Sequence, residues 1–192
     1  MVKRVYPEPE QEMTQYWIFS TALGKAGIVV SKKGICRVIL PGWSKEKIQD
    51  FIKDHYPESK PGKVPASRKI QKAINYIERY FCGSIEERKF PLDLTELGEF
   101  QKKVLELVSK IKAGETRSYG WLAERLGNKK AVRAVAQALA HNPVPLFIPC
   151  HRVIGKDGSL KGFSAPAGVS LKIFLLKLEQ RLKDKSRTKT PL

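Results

Sequence analysis

Acid is scarce in this sequence beside its bases. Only 19 Asp and Glu stand against 36 Lys and Arg in 192 residues, giving a formal net charge of +17. Such an excess draws polyanions at long range and points to nucleic acid or an anionic surface; a lysine-rich exterior with no polyanion partner carries the same excess. Long apolar runs are also missing. No segment approaches the ~20 apolar residues that span a bilayer, so no membrane partner is expected. The start, Met1 to Met13, is polar, contains Pro7 and Pro9, and lacks the apolar stretch of a secretory signal, so a cytoplasmic protein is expected. Thiols are few: Cys36, Cys82 and Cys150 are odd in number and widely spaced. That suits reduced thiols better than a disulfide framework. His55, His141 and His151 are the only imidazoles, and neither a CxxC nor a His pair at i, i+4 occurs. No metal site is expected from them. The 42% of hydrophobic residues suffice for a packed core, and the length suits one large domain or two small ones sharing an interface.

The pattern along the chain predicts a mixed α/β (α+β) fold. Residues 1–90 form a small sheet-plus-helices domain, residues 91–182 a mostly helical domain, and 183–192 a basic tail. Gly27–Ser31 and Cys36–Leu40 read as strands joined by a turn at Lys32-Lys33-Gly34. Pro41-Gly42 ends the second strand, and Ser44 caps a helix with Ile48, Phe51 and Ile52 on its apolar face and His55 on the surface at its end. Residues 57–65 read as a loop. Ser67 starts a second helix, with Ile70, Ala73, Ile74, Ile77 and Phe81 at helical spacing, and Gly83 stops it. Cys36 and Cys82 fall in these apolar patterns and read as core residues.

Residues 84–97 read as a connector. Beyond it Phe100, Val104, Leu107, Val108 and Ile111 form a helical stripe that Gly114 is expected to stop. A short helix carries Tyr119, Leu122, Ala123 and Leu126 and closes at Gly127-Asn128. Another runs from about Lys129 to Ala140 and ends at Asn142-Pro143. Two short helices around a tight turn outline a helix-turn-helix. Ser170 is expected to cap a last helix with Leu171, Phe174, Leu175 and Leu178, and the tail from Arg181 to Leu192 to fray.

The second helix of the helix-turn-helix is expected to bury Val132, Val135 and Leu139. Ala131, Ala134 and Ala138, with Arg133 and Gln137 beside them, then form the outer face. Small residues let a helix backbone come close to its neighbour. That suits the ~6 Å minor groove of DNA better than major-groove reading by long polar side chains, and leaves Arg133 as the one long probe. A face of alanines against another helix is the competing account. From Gln101 to Arg133 there are nine Lys or Arg and three Glu, enough to neutralise phosphates without reading sequence.

Residues 143–154, Pro-Val-Pro-Leu-Phe-Ile-Pro-Cys-His-Arg-Val-Ile, are the most informative. A proline-bounded apolar run delivers Cys150 beside His151 and Arg152, and cationic neighbours lower a thiol's pKa. A buried inert cysteine remains the alternative at this level. The motif Pro149-Cys150-His151-Arg152-Val153 resembles the active-site signature of the O6-alkylguanine-DNA alkyltransferases, also called methylated-DNA–protein-cysteine methyltransferases. The resemblance extends through Gly114-Glu115, Ser118-Tyr119, Arg133-Ala134-Val135 and Asn142-Pro143-Val144-Pro145 to Leu175-Leu176-Lys177-Leu178-Glu179, roughly residues 98 to 180.

That resemblance implies DNA repair in which Cys150 takes the alkyl group from O6-alkylguanine, and from O4-alkylthymine, once per molecule and with no cofactor. His151 is implied to draw off the thiol proton through a water, Glu179 to orient it, and Asn142 to brace the active-site segment. Arg133 is implied to replace the extruded base in the stack and Tyr119 to press on the adjacent phosphate. Ser164 would donate toward O6, and the carbonyls of Cys150 and Val153 would read the guanine amino group. Ser118, Ala131, Ala134 and Gln137 complete the implied DNA contact. The implied partner is double-stranded DNA bound through its minor groove by a monomer, in the cytoplasm, and on the nucleoid if the cell is prokaryotic. The loop Ala165-Pro166-Ala167-Gly168 is slightly longer than in some members. Three other functions compete. An alkyltransferase-like lesion binder would lack the acceptor cysteine. A helix-turn-helix regulator would carry a polar recognition face and a dimer interface. A cysteine hydrolase would need an oxyanion hole.

Overall fold

The computed structural model describes residues 14–85, 89–160 and 162–187, with side chains described as far as residue 182. The polar start and the end of the basic tail lie outside the described residues. The chain begins with β1 (Gln15–Thr21), β2 (Gly24–Val30) and β3 (Ile35–Ile39), then α1 (Lys45–His55), the two-residue β4 (Lys60–Pro61) and α2 (Arg68–Phe81). The sheet order is β3-β2-β1-β4, antiparallel except for the parallel β1–β4 pair.

Neighbouring residues of a strand point to opposite faces, and both faces of this sheet are covered. Trp17, Ile28 and Val38 join the main core, on the side where α2 packs against β1. Val29 and Ile39 face the other way and pack with Ile48 and Ile52 of α1. Burial on both faces explains why β2 reads as an unbroken apolar run rather than an alternating one. Ser44 caps α1 by accepting from the Lys47 backbone N–H at 3.3 Å, whereas Ser67 makes no such bond at the start of α2. On α2 the residues Ala73, Ile74, Ile77, Tyr80 and Phe81 are buried; each large apolar side chain among them contributes about 1.5–3 kcal/mol. β1 was not expected from the sequence, because its Tyr-Trp-Ile-Phe run has no turn signal before it. Cys36 is half-buried and packs against the Val29–Ile52 cluster, whereas Cys82 is exposed and not a core residue, because α2 ends one residue before it and it leaves the apolar face.

The chain continues with α3 (Glu99–Ser109), β5 (Arg117–Ser118), α4 (Tyr119–Arg125), a 3-10 turn at Lys129–Ala131, α5 (Val132–Ala140), a 3-10 turn at Cys150–Arg152, β6 (Val153–Ile154) and α6 (Gly168–Arg187). α3 buries Val104, Leu105 and Val108, with Ile111 just beyond; Phe100 is exposed and Leu107 half-buried, so the stripe is turned by about one residue from the expected one. The helix stops at Ser109. Gly114, at φ 73°, shapes a later turn instead. α6 starts at Gly168, which places Ser170 inside its first turn, and it continues to Arg187 through residues expected to fray. No helix among the described residues is long and apolar enough to cross a membrane.

One buried cluster takes in both halves of the chain, from Trp17 and Ile28 through Val104 and Val135 to Leu175. The outer edge of β3 is tied to later segments: Ile35 donates to the Pro91 carbonyl and Val38 to the Pro143 carbonyl at 2.8 Å. These bonds fix the sheet against the segment that carries Cys150. At Gly42, with φ 129°, a Cβ would lie 2.8 Å from the Ala167 backbone nitrogen. A residue without a side chain therefore lets the loop before α6 rest on the end of β3.

Candidate active site

Cys150 opens the 3-10 turn, and the preceding segment is held by a clasp. Asn142, just past α5, donates through Nδ2 to the Ile148 carbonyl at 2.8 Å, and its Oδ1 accepts from the Val144 N–H at 3.1 Å. Between them Leu146 takes φ 72°, unusual for a residue with a side chain, and is locked by the Ile148 N–H to Val144 carbonyl bond. Burial raises the Cys150 thiol pKa, with Asn142 and the charge of Lys172 opposing. The thiol thus keeps its proton at neutral pH and needs a base to become a nucleophile.

That base is adjacent. His151 is fully buried, and burial lowers its pKa against the opposing pull of Glu179, so the ring is neutral. Its Nε2 lies 2.9 Å from Oε1 of Glu179. A carboxylate can only accept, so the imidazole proton belongs on Nε2. Nδ1 is left buried with no protein partner, an acceptor open to a water or a proton.

Glu179 is the hub. Both of its oxygens accept from Arg152 Nε at 3.0 Å, Oε1 accepts from Arg152 Nη2 at 2.8 Å, and Oε2 from the Gly114 N–H at 2.9 Å. The Tyr80 hydroxyl donates to Oε1 as well. Burial alone would raise this carboxyl, but the bonds from His151 and Arg152 pull it down to about 2. Arg152 also donates to the Ile111 carbonyl. Its guanidinium is committed to Glu179 and Ile111, so it does not activate the thiol as expected from the Cys-His-Arg sequence. The cation that acts on Cys150 is Lys172, buried with its Nζ 2.7 Å from the Val153 carbonyl and 5.8 Å from the Tyr119 ring centroid.

Two cavities meet at Cys150. One, of about 720 Å³, opens along α5 and is lined by Tyr119, Arg133, Gln137, Ser164 and Lys172 among others. The other, of about 220 Å³, lies toward β3 and α1, with Arg37, Trp43, Asn142 and Ser164 in its walls. The exposed face of α5 consists of Val132, Arg133, Ala134, Gln137 and Ala140. Ala138 is buried with Val135 and Leu139, while Val132 is 38% exposed; the two exchange their expected places because α5 begins at Val132, after the separate 3-10 turn that holds half-buried Ala131. Ser118 is half-buried and caps α4, accepting from the Trp121 N–H at 3.0 Å. The Val153 carbonyl already accepts from Lys172, and the Cys150 carbonyl from the Val153 N–H.

Cys150, His151, Glu179 and Asn142 thus come together as one unit, while Tyr119 and Ser164 line the cleft beside it. Three participants were not found from the sequence. Lys172 had a signal: Lys172, Leu175 and Glu179 recur at helical spacing on one face, so polar groups sit where apolar ones are expected. Tyr80 had a weaker one, a phenol on the core face of α2, where its hydroxyl requires a partner. Gly114 was marked only as part of the family resemblance, and nothing in the sequence pointed to its N–H as a donor to Glu179. Among the described residues no group of three His, Cys, Asp or Glu side chains is placed to hold a metal.

Residues 99–181 match the family profile described as 6-O-methylguanine DNA methyltransferase, DNA binding domain. The chain is 38% identical over 154 residues to the methylated-DNA–protein-cysteine methyltransferase of Methanosarcina mazei, covering 79% of this chain and 95% of that protein. It is 37% identical over 169 residues to the constitutive methylated-DNA–protein-cysteine methyltransferase of Bacillus subtilis, covering 88% and 96%. Among solved structures, Mycobacterium tuberculosis OGT in complex with DNA superposes with a TM-score of 0.72 at 30% identity, over 87% of this chain and 93% of that one.

Proposed function

The chain belongs to the methylated-DNA–protein-cysteine methyltransferase family, and from that premise we propose that it repairs O6-alkylguanine in DNA by taking the alkyl group onto Cys150, once per molecule. The observation that carries the reading is a buried thiol followed by a buried histidine whose Nε2 is held by Glu179 and whose Nδ1 has no protein partner.

The thiol proton passes through a water to Nδ1 of His151, while Glu179 holds the proton on Nε2 and stabilises the imidazolium that forms. The Cys150 sulfur attacks the alkyl carbon in line. A carbon–sulfur bond forms, the carbon–O6 bond breaks, and its electron pair leaves on O6. The guanine takes one proton at N1 and returns to its keto form, so the thiol hydrogen is balanced. A thioether sulfur is a poor leaving group, so the step is not reversed and the protein is consumed. The same attack on O4-alkylthymine follows the same bookkeeping of bonds.

DNA is the partner. A stacked guanine cannot reach a buried sulfur, so the base turns out of the duplex, at a cost of a few kcal/mol. The small exposed face of α5 suits close approach in the minor groove, with Arg133 filling the vacated stack. Tyr119 and Ser164 line the cleft that receives the base. Ser118, Ala131, Ala134 and Gln137 lie on the helix-turn-helix that meets the backbone. One helix-turn-helix and one nucleophile serve the reaction, so the protein acts as a monomer. Residues 1–90 and 91–182 act as two domains in this account, the first bracing the second through β3.

Cys150→Ala tests it. Transfer of label from a methyl-labelled O6-methylguanine duplex should vanish while duplex binding persists; stoichiometric transfer by the variant sinks the assignment of the nucleophile.

A further inference from the structure

Among the described residues, Tyr80 is the one side chain from the N-terminal half that enters the buried polar unit described above. It lies on α2, is fully buried, and donates its hydroxyl proton to Glu179 Oε1. The Tyr80 hydroxyl oxygen also lies 3.2 Å from His151 Nε2, and the two rings meet edge to face, 6.3 Å between centroids. A phenol has one proton to give. Having given it to a carboxylate, which cannot return one, the oxygen keeps only lone pairs for the imidazole. The N–H at Nε2 therefore faces two acceptors, Glu179 and Tyr80, on a ring whose other nitrogen is open. Tyr80 also takes part of the negative charge from the carboxylate oxygen that faces the histidine.

We propose that Tyr80 is a positioning residue for the transfer reaction: it pins the imidazole proton on Nε2 and tempers the carboxylate of Glu179, so that His151 rests neutral with Nδ1 free. The N-terminal half thereby supplies a working part of the proton relay, beyond bracing the fold. The inference rests on the alkyl-transfer function, but its central contact can be read without substrate.

The test is Tyr80→Phe in the full-length protein, a change of one oxygen that keeps the ring in the core. The groups facing His151 are Glu179 and Lys172 from α6, Arg152 from its own turn and Tyr80 from α2. With one donor fewer, Glu179 presents more of its full charge to the imidazolium, which outweighs the loss of the neutral phenol oxygen as a second acceptor at Nε2. His151 should then titrate at higher pH, seen by NMR of its ring nitrogens, and the Nε2-bound proton should change its resonance. Single-turnover transfer should slow about tenfold at neutral pH, less than the ~10²–10⁴ of a lost general base, and the acid limb of its pH profile should move upward. Duplex affinity should not change. Phe81→Leu, which loosens the same helix without touching Glu179, should leave the pH profile where it was. Unaltered ring-nitrogen shifts and titration in Tyr80→Phe overturn the proposal, whether or not the variant is less stable. A parent protein that transfers nothing would overturn the alkyl-transfer function, while the NMR titration still decides the role of Tyr80.

Discussion

Replacing Glu179 by glutamine keeps the shape of the hub and removes its charge. In the parent, this carboxyl falls from an ordinary pKa of 4.5 to about 2, which corresponds to about 3 kcal/mol of stability at neutral pH. A depressed acid stabilises the folded state fully above its unfolded pKa and loses that contribution as pH falls through the folded one. The stabilisation should therefore be constant above about pH 4.5 and fade between 4.5 and 2. The variant also leaves the Arg152 guanidinium, 9% exposed on its side chain, without its counter-charge, and an amide N–H₂ facing donors from Gly114, Tyr80 and Arg152. Breaking one half of a buried pair costs about 3–5 kcal/mol. For a chain of this length that lowers the melting midpoint by roughly 10 °C. Denaturation of parent and Glu179→Gln at neutral pH and on stepping down through the acid window measures both effects. Adding Arg152→Leu to the variant should cost less than the two single changes together by ~0.5–3 kcal/mol, because the orphaned cation goes with it. A loss under about 1 kcal/mol, or a gap between parent and variant that does not narrow as pH falls from 4.5 toward 2, would refute the hub.

Arg133→Ala should slow single-turnover repair in duplex DNA and affect a single-stranded substrate much less, since only the duplex needs its stack refilled; equal slowing on both, by kinetic comparison, removes the plug role. Asn142→Ala opens the clasp that sets the turn at Leu146 and leaves the Ile148 carbonyl and Val144 N–H without their partner. It should cost about 1–3 kcal/mol by urea denaturation and slow transfer with duplex affinity kept; unchanged transfer would show that the clasp does not place Cys150.

Much of the fold was legible because local signals agreed with it. The β2–β3 hairpin, the Ser44 cap and the Gly127 turn each follow from turn or cap chemistry that acts over a few residues. β1 was missed because no turn residue directly precedes its Tyr-Trp-Ile-Phe run. The rotation of α3 and the exchange of Val132 with Ala138 on α5 have one cause: helix phase is set by where the helix starts and what it packs against, and apolar spacing leaves that open by a residue. The site was legible where it is contiguous, at Cys150 and His151, while the bracing role of Asn142 came from the family resemblance. Its remoter parts were less so. Glu179 came from the family resemblance, and Tyr80, 99 residues from Glu179 in the chain, comes into contact with it only when α2 and α6 pack. The Cys-His-Arg triplet also misled in one respect. Adjacency suggested that Arg152 activates the thiol, but the 3-10 turn points successive side chains apart and sends the guanidinium to Glu179 and Ile111.

The most direct measurement is the intact mass of the protein after mixing with a duplex that carries one O6-methylguanine. A gain of one methylene, complete at one equivalent of lesion and mapped by digestion to the peptide holding Cys150, is the predicted result. Tight binding to the lesion with no gain in mass, or a methylene on Cys36 or Cys82, would contradict it.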